Sequence, residues 1–359
     1  MINVTKTFLP PFEEYMALVK RAWDKAWITN NGELVQELET KLKTYLGVDQ
    51  LLFCGNGTIV LQMALKALHI TKEVITTPFS YVATTNSILW EGCTPVFVDI
   101  RPDTFCIDAD KIEEAITENT QAIMATHVYG IPCEIEKIEE LANKYKLKVI
   151  YDAAHAFGCT YKGRSLLSFG DMVTCSFHAT KIFHTVEGGA IICKDEELLK
   201  QLFLFRSFGH IGDEYYSTGI NAKNSEMHAA MGLCILPRID DIIVKRKQVF
   251  EAYDRLLDLT RISKPVLPAE FIYNYSYYPV VFENEQILLQ VRETLLQNGI
   301  STRRYFYPSL NRLPFLQKTQ DCPVSESISK SVLSLPLYYD LPLSDIERIS
   351  KIINDIVSR

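Results

Sequence analysis

One short segment combines a lysine with hydroxyl and small side chains, residue types that could carry covalent chemistry. It reads Ser176-Phe177-His178-Ala179-Thr180-Lys181, and Glu187-Gly188-Gly189 follows it with glycines that allow a backbone to approach closely. A desolvated lysine forms Schiff bases with carbonyl compounds, and the Ser176 hydroxyl could bind a phosphate nearby. The segment therefore indicates a Schiff-base lysine at Lys181.

Two further polar residues lie upstream of this lysine. Asp152 follows the apolar run 149–151, and His155 comes three residues later. A carboxylate there could pair with a protonated pyridine nitrogen, and an imidazole could lie near the phenolic oxygen of the same ring. A capping aspartate and a histidine that is only a satisfied polar group are the alternatives. Together with Lys181, the two residues point to a site for pyridoxal phosphate.

A glycine-rich turn, Gly55-Asn56-Gly57-Thr58, lies between an apolar run and a helical pattern. Free N–H groups and the helix dipole could bind a phosphate there, although a purely structural turn has the same composition. Tyr81, after Pro78-Phe79-Ser80, could stack on a ring or belong to the core. Neither G-x-G-x-x-G nor G-x-x-x-x-G-K-[ST] occurs, which argues against a dinucleotide or triphosphate site.

Composition narrows the class of protein. The 359 residues are 47% hydrophobic, and 37 Lys and Arg against 44 Asp and Glu give a net charge of -7. This charge gives no general attraction to nucleic acid or to anionic membranes. The nine cysteines include no pair at two-residue spacing, so we expect reduced thiols and no metal site. Without a signal-like N-terminus or a long apolar run, we expect a cytoplasmic protein that does not span a membrane.

A helical pattern at residues 33–46 is followed, from residue 50 to about residue 151, by apolar runs that alternate with helical patterns. Glu33 to Leu46 carries leucines at helical spacing, and the preceding Thr29-Asn30-Asn31 are helix-capping residue types. The runs 51–53, 74–77, 95–98, 122–126 and 148–151 predict strands, and 59–68, 82–90 and 134–145 predict helices. Unbroken apolar strands between helices indicate an α/β fold with a mostly parallel sheet covered on both faces.

The pattern changes after about residue 235. A charged helix is predicted at 240–257, a strand-like run at 276–282, a helix at 286–298 and a terminal helix from 344. We therefore predict a large domain at residues 1–235, with an N-terminal helical segment, and a smaller C-terminal α/β domain at 236–359. Ligands in open α/β sheets bind outside the carboxyl ends of the strands, where the turn 55–58 and Asp152 fall.

These stretches carry a family resemblance that covers essentially the whole chain. The sequence resembles the DegT/DnrJ/EryC1/StrS family of sugar aminotransferases. The matching segments, in chain order, are Asn56-Gly57-Thr58, Thr77-Pro78-Phe79-Ser80-Tyr81-Val82-Ala83-Thr84, Asp152-Ala153-Ala154-His155-Ala156, Ser176 to Lys181 and Glu187-Gly188-Gly189. The resemblance implies the aspartate aminotransferase (type I) fold, pyridoxal phosphate as cofactor and a homodimer with its active site at the subunit interface.

The resemblance also implies roles for individual residues. Lys181 would form the Schiff base, Asp152 would pair with the pyridine nitrogen, and His155 would lie near the phenolic oxygen. The cofactor contacts implied in the same way are Gly57, Thr58, the Ile59 amide and Ser176 at the phosphate, and Tyr81 over the ring. Within the segment 219–226, which corresponds to a family segment that reaches into the neighbouring subunit, Asn221 is the candidate phosphate contact.

The sequence departs from the family pattern at two places. Lys223 replaces an arginine, which exchanges a planar fork for a point charge and puts the substrate contact there in doubt. The loop 307–312 is shorter than the family's and lacks its histidine. Next to it, Arg303 and Arg304, with Tyr307, could meet a nucleotide diphosphate or form a solvated basic surface.

The implied reaction is a two-step transamination from L-glutamate to a keto sugar linked to a nucleotide. The sequence is similar to the branch that converts dTDP-4-keto-6-deoxy-D-glucose to dTDP-4-amino-4,6-dideoxy-D-glucose for surface polysaccharide (O-antigen). A 3-keto sugar and a UDP- or GDP-linked sugar are alternatives. So are a sugar dehydratase, although that branch replaces the Schiff-base lysine with histidine, and a non-catalytic protein that binds the cofactor.

Overall fold

The computed structural model describes residues 1–358 of the chain. The helices are α1 (Phe12–Asp24), α2 (Glu33–Leu46), α3 (Gly57–Ala67), α4 (Val82–Trp90), α5 (Ile135–Tyr145), α6 (Glu196–Arg206), α7 (Glu226–Ile235), α8 (Ile239–Leu256), α9 (Glu285–Gln297), α10 (Pro323–Ser331) and α11 (Leu343–Val357). The strands are β1 (Gln50–Cys54), β2 (Glu73–Thr76), β3 (Thr94–Phe97), β4 (Thr120–Thr126), β5 (Lys148–Asp152), β6 (Thr160–Tyr161), β7 (Arg164–Ser165), β8 (Met172–Ser176), β9 (Gly189–Cys193), β10 (His210–Ile211), β11 (Glu214–Tyr215), β12 (Phe271–Ile272), β13 (Pro279–Val281) and β14 (Val332–Ser334). None of the helices in this part of the chain is long and apolar enough to cross a membrane.

A seven-stranded sheet in the order β1-β9-β8-β5-β4-β2-β3 forms the centre of the fold. The pairs from β8 through β5, β4 and β2 to β3 are parallel, whereas β9 runs antiparallel to both β1 and β8. The predicted mostly parallel sheet is confirmed. Because β1, β2, β5 and β8 run in one direction, the loops after them meet at one edge of the sheet.

Both faces of the sheet are buried, which explains the unbroken apolar strands. In β4, Ile123 and Ala125 belong to one hydrophobic cluster, and Ala122 and Met124 belong to the cluster on the other face. The leucines of α2 pack in the first cluster, and the apolar residues of α3 pack in the second. Helices therefore cover both faces, as the alternation of apolar runs and helical patterns predicts.

Helix α2 begins without the local cap that its sequence suggests. Gly32 is its N-cap residue and provides no side chain. Instead, the buried Glu226 carboxylate on α7 accepts from the Leu34 amide at 2.7 Å and from the Val35 amide at 3.3 Å. A Cβ at residue 32 would lie 2.6 Å from the carboxyl carbon of Glu226, so glycine makes room for this cap. The expectation of a cap from residues 29–31 was wrong because a tertiary contact replaces it.

A buried ion pair joins α6 to α2 and to the edge of the sheet. The Arg206 side chain is 2% exposed and donates to the Glu39 carboxylate and to the Phe53 carbonyl, each at 2.8 Å. Glu39 also accepts from the Phe53 amide at 2.8 Å. Loss of one partner from such a pair leaves the other charge buried without compensation.

The C-terminal part consists of helices α8 to α11 around the pair β13 and β14. The predicted domain boundary at 235/236 falls between α7 and α8, and the division into two domains stays a prediction.

The Asp99 carboxylate, which follows β3, accepts from the Val324 and Ser325 amides at 2.9 Å each and so caps α10. The predicted strand 276–282 is shortened to β13.

We expect Glu39→Ala to lower the free energy of unfolding by about 3–5 kcal/mol, because Arg206 remains buried without its carboxylate. Urea denaturation followed by circular dichroism measures the change. Glu197→Ala is the matched control, since Glu197 is 81% exposed and pairs with Lys200 on the surface. Equal effects of the two substitutions would show that burial adds nothing to the Arg206 pair.

Candidate active site

A cavity of about 240 Å³ lies at the edge of the sheet where the loops after β1, β2, β5 and β8 meet. It brings together many residues singled out in the sequence: Gly57, Thr58, Tyr81, Asp152, His155, Ser176, Lys181 and Arg303. It does not include Ile59, Asn221, Lys223, Arg304 or Tyr307. The cavity therefore gathers residues from at least five separate segments of the chain.

Lys181 lies in the connection between β8 and β9. A turn in which the Lys181 amide donates to the His178 carbonyl at 2.8 Å fixes its backbone. The amine is 3.4 Å from the Tyr277 hydroxyl, to which it donates. Burial lowers the pKa of Lys181 from its usual value, with nearby acidic groups opposing the shift. Because its pKa is lowered, a larger fraction of Lys181 is the neutral amine at a given pH, and the neutral amine is the form that acts as a nucleophile.

Asp152 is the last residue of β5 and is 5% exposed. One carboxylate oxygen accepts from the Thr84 hydroxyl at 2.7 Å, and the other accepts from the Ala154 amide at 3.1 Å. Burial raises the pKa of Asp152, while these two hydrogen bonds and the charge of Lys181 oppose the rise. A cationic group placed in the pocket would find a carboxylate already oriented toward it.

A chain of three buried hydroxyls leads to this carboxylate. The Thr126 hydroxyl donates to Ser80 at 3.1 Å, Ser80 lies 2.8 Å from the Thr84 hydroxyl, and Thr84 donates to Asp152. Each hydroxyl has one proton, so once Thr84 donates to the carboxylate, Ser80 must donate to Thr84. All three dipoles therefore point toward Asp152 and favour its anionic form.

His155 is buried beside Asp152 and is held as a neutral imidazole. Its Nδ1 accepts from the Tyr129 amide at 3.2 Å, so the proton of the neutral ring is on Nε2. The ring stacks on Phe306 with centroids 5.7 Å apart and 9° between planes. Burial lowers the pKa of His155 well below its usual value. The residue can donate one hydrogen bond without carrying a charge.

The glycine-rich turn packs the start of α3 against the end of β8. A Cβ at Gly57 would lie 2.8 Å from the Ser176 Cβ and 3.0 Å from its hydroxyl oxygen, so the turn requires glycine there. The Asn56 side chain accepts from the amides of Thr58 at 3.0 Å and Ile59 at 2.9 Å. A phosphate contact by the Ile59 amide would have to replace this cap, whereas Thr58 and Ser176 already line the pocket.

Two of the predicted residues, Asn221 and Lys223, lie outside the cavity. Asn221 is exposed and pairs through its backbone with Ser207, and Lys223 lies over the Phe208 ring at 4.6 Å. The role predicted for Asn221 is in a neighbouring subunit's site, which a single subunit does not test. Both assignments stay predictions.

The adjacent arginines point in different directions. Arg303 lines the cavity, with its guanidinium 4.5 Å from the Tyr305 ring centre. Arg304 instead donates to Glu285 at 2.6 Å and lies 3.6 Å from the Tyr307 ring centre. Of the two, only Arg303 is placed to meet a ligand in this cavity.

The C-terminal part contributes three aromatic residues that the sequence did not single out as functional. Tyr277, Tyr305 and Phe306 line the cavity. Tyr277 belongs to an aromatic-rich run at 271–278 whose composition is typical of a hydrophobic core. The one indication in the sequence that any of the three has a functional role is that Tyr305 lies close to Arg303.

Buried polar contacts hold the loop 307–312, in which Asn311 stands. Asn311 is fully buried, and its side-chain amide donates to the Gln320 carbonyl at 2.6 Å and to Glu326 at 2.8 Å. Ser309 donates to its carbonyl oxygen at 2.6 Å. Asn311 thus ties the loop to Gln320 and to α10, and it does not line the cavity.

The arrangement fits pyridoxal phosphate. The cavity offers an amine of lowered pKa, a buried carboxylate, a neutral imidazole, and hydroxyls beside the start of a helix. These are the partners required by the aldehyde, the ring nitrogen, the phenolic oxygen and the phosphate of that cofactor.

We expect Gly57→Ala to weaken binding of pyridoxal phosphate, because the new methyl group must push the turn away from Ser176. Absorbance titration of the cofactor-free protein measures the dissociation constant. Gly55→Ala is the control in the same turn, since a Cβ there meets only the Lys223 carbonyl at 3.6 Å and the Ala222 carbonyl at 3.7 Å, both ordinary van der Waals distances. Equal affinity of both variants would show that the close packing at Ser176 does not shape the cofactor site.

Comparison with known sequences identifies relatives over nearly the whole chain. The model of the DegT/DnrJ/EryC1/StrS aminotransferase family matches residues 12–354. The dTDP-4-amino-4,6-dideoxy-D-glucose transaminase of Escherichia coli is 42% identical, with 98% of each chain covered. A GDP-perosamine synthase of Caulobacter vibrioides is 34% identical, with 94% of each chain covered.

Solved structures agree with these sequence relatives. The chain is similar to DesI in the presence of its TDP-sugar product, with a TM-score of 0.95, 32% identity, and coverage of 100% of this chain and 93% of DesI. It is also similar to Spr1654 of Streptococcus pneumoniae in its PLP form, with a TM-score of 0.90, 26% identity and 99% of each chain covered. The expected fold is therefore confirmed.

Proposed function

Because the chain belongs to the DegT/DnrJ/EryC1/StrS aminotransferase family, we propose that it transfers the amino group of L-glutamate to C4 of dTDP-4-keto-6-deoxy-D-glucose. The product would be dTDP-4-amino-4,6-dideoxy-D-glucose, a building block for surface polysaccharide. The enzyme is a pyridoxal-phosphate-dependent aminotransferase of nucleotide-linked sugars. The observation that carries the choice of sugar is the 42% identity, over 98% of each chain, to a transaminase named for that product.

Each pocket residue has a separate role in the proposed reaction. Bound pyridoxal phosphate withdraws electrons and so stabilises negative charge at the carbon next to the transferred nitrogen. Lys181 would hold the cofactor through its amine and would move a proton between two carbons as a general base and acid. Asp152 would hold a proton at the ring nitrogen, and the neutral His155 would donate from Nε2. Thr58 and Ser176 would bind the phosphate.

Burial fits Lys181 for proton transfer. It lowers the pKa of the amine toward the operating pH, where a general base is most effective. At Asp152, burial raises the pKa of the carboxyl group, and the hydrogen bond from Thr84, at the end of the hydroxyl chain, opposes that rise by favouring the ionised form. Burial in one pocket thus lowers the pKa of Lys181 and raises the pKa of Asp152.

Arg303 is our candidate for the nucleotide diphosphate. It is exposed at the mouth of the cavity, and its guanidinium is held over the Tyr305 ring. A planar guanidinium binds phosphate oxygens in pairs. Since dTDP- and GDP-linked sugars share the diphosphate, this contact serves either class of substrate.

We also propose that the enzyme is a homodimer. Leu9, Phe12 and Met16, around α1, are 67%, 68% and 43% exposed, and Ile211 and Tyr215 on the β10–β11 hairpin are 60% and 78% exposed. Exposed apolar groups of this size favour burial against a partner. A second copy would cover them and place the segment with Asn221 and Lys223 near its own cavity.

The proposed location is the cytoplasm. All nine cysteines are free and buried, which suits a reducing compartment. Glutamate as the amino donor is likewise part of the proposal.

A GDP-linked 4-keto sugar is the second candidate substrate. The 34% identity to GDP-perosamine synthase favours it, with coverage similar to that of the first candidate. The presence of Lys181 argues against the dehydratase alternative, in which histidine takes its place.

Incubation of the holoenzyme and glutamate with dTDP-4-keto-6-deoxy-D-glucose, followed by NMR of the sugar nucleotide, tests the proposal. An amino group at C4 supports it. An amino sugar formed only from the GDP-linked or a 3-keto substrate would reassign the sugar, and failure of glutamate to convert the cofactor to its amine form would contradict glutamate as the donor.

We expect Lys181→Ala to reduce turnover by roughly 10⁴-fold, because it removes both the covalent attachment and the general base. The protein should remain folded, since the lost side chain lines the cavity and contributes little to the core. Coupled assay of 2-oxoglutarate release and thermal denaturation measure the two effects. A turnover close to wild type would overturn the role of Lys181.

We expect Asp152→Asn to retain bound cofactor but to lower turnover by about 10- to 10²-fold. Asparagine still accepts from the Thr84 hydroxyl, yet it removes a charge-assisted hydrogen bond of roughly 1.5–3 kcal/mol. Steady-state kinetics at saturating cofactor measure the loss. Unchanged kinetics would mean that Asp152 has no role at the ring nitrogen.

A further inference from the structure

We propose that Tyr277 is a positioning residue, whose hydroxyl holds the Lys181 amine in place whenever that amine is not bonded to the cofactor. The inference rests on the proposed aminotransferase function and adds to it a residue from the C-terminal part of the chain. The Lys181 amine donates to the Tyr277 hydroxyl at 3.4 Å, and both side chains line the cavity.

The segment that carries Tyr277 is clamped onto the loop after Asp152. The fully buried Asn274 side chain donates to the carbonyls of His155 at 2.9 Å and Phe157 at 2.8 Å. The Tyr273 hydroxyl accepts from the Tyr277 amide at 3.3 Å. The backbone of Tyr277 is therefore fixed relative to the strand that ends at Asp152.

Aromatic neighbours fix the side chain as well. The Tyr277 ring meets the His155 ring at 4.9 Å with 69° between planes, and the Tyr305 ring at 5.5 Å with 82°. The Tyr129 ring lies 5.4 Å away on another side. With three rings around it, the Tyr277 hydroxyl stays directed toward Lys181.

A neutral hydroxyl at this place suits both forms of the lysine. Burial raises the pKa of Tyr277 to about 12, so the phenol keeps its proton at neutral pH. It accepts from the ammonium form of Lys181 and can donate to the lone pair of the amine form. Lys181 can thus take up and release a proton without a change in the charge of Tyr277 and without leaving its position.

Two readouts on Tyr277→Phe test this role. In the cofactor-free full-length protein, competitive acetylation of Lys181 with acetic anhydride, followed by peptide mass spectrometry, gives the pH dependence of its reactivity. In the holoenzyme, the rate at which glutamate converts the cofactor is measured by stopped-flow absorbance. Tyr278→Phe is the matched control, because it removes the hydroxyl of the next residue, which bonds Asp254 at 2.7 Å in the C-terminal part.

The Lys181 reactivity curve is expected to move to lower pH in Tyr277→Phe, since a hydrogen bond to the charged form is lost. The conversion by glutamate is expected to slow by about 10-fold or more, as part of the roughly 10²–10⁴-fold that a positioned acid-base group supplies. Tyr278→Phe should change neither. Phenylalanine keeps the ring contacts, and thermal denaturation confirms folding.

An unchanged reactivity curve together with an unchanged conversion rate in Tyr277→Phe would overturn the proposal. So would equal changes in Tyr278→Phe, because they would trace the effect to the stability of the segment and not to the hydroxyl. Acetylation needs neither glutamate nor a sugar. It therefore decides the Tyr277–Lys181 contact even if the proposed donor and sugar prove wrong.

Discussion

A carboxylate buried at the end of β5 is the constraint around which the pocket is built. Asp152 loses most of its hydration there, and an uncompensated charge at such a place is strongly unfavourable. Its partners come from the neighbouring strands: Thr126 ends β4, while Ser80 and Thr84 follow β2. Because β2, β4 and β5 are adjacent in the sheet, the strand order itself delivers the hydroxyl chain to the carboxylate. The parallel pairing of these strands thus positions the loops and also supplies the hydrogen bonds that stabilise the buried Asp152 carboxylate.

The side of the pocket that the C-terminal part contributes depends on polar contacts between distant parts of the chain. Asp99 caps α10 from the sheet side, and Asn274 clamps the C-terminal part onto the loop after β5. These contacts place Arg303 and Tyr277 opposite residues that come from the strand ends. Both involve side chains that are almost fully buried, where unpaired groups would be costly, so the contacts fix one relative arrangement.

Strands β1 to β5, the mostly parallel sheet and the clustering of the central candidate residues were predictable because local patterns carry them, whereas β8 and β9 were not predicted as strands. Asp152 follows an apolar run that predicts a strand, and Lys181 follows the mixed apolar-polar run 173–177, most of which forms β8. In a parallel sheet the carboxyl ends of such strands converge. Tyr277 had no comparable signal, since it lies in an aromatic run that reads as core. The cap of α2 was mispredicted because its source, Glu226, lies 192 residues from the amide of Leu34. Such side-chain pairings depend on the tertiary fold, and periodicity holds no information about them.

The adjacent Arg303 and Arg304 also show that sequence patterns do not predict which side chains pair in the fold. Charge and aromatic neighbours in the sequence make Arg303 and Arg304 equivalent candidates for a diphosphate. The fold separates them, because Glu285 on α9 pairs with Arg304 and leaves Arg303 at the cavity. A paired and largely buried arginine stabilises the packing of its segment, whereas the exposed one remains available to a ligand.

The electrostatics of the pocket connect cofactor binding to stability. Burial raises the pKa of Asp152, so its charged form destabilises the fold, and this penalty grows as the pH rises through the raised value. Burial lowers the pKa of Lys181, so its charged form also destabilises the fold, and this penalty is removed only as the pH rises from the lowered value toward the ordinary one. Near neutral pH both penalties act on the cofactor-free protein. In the proposed roles of Asp152 and Lys181, a cofactor with a cationic ring nitrogen and a carbonyl group would relieve both penalties and so would stabilise the folded state on binding.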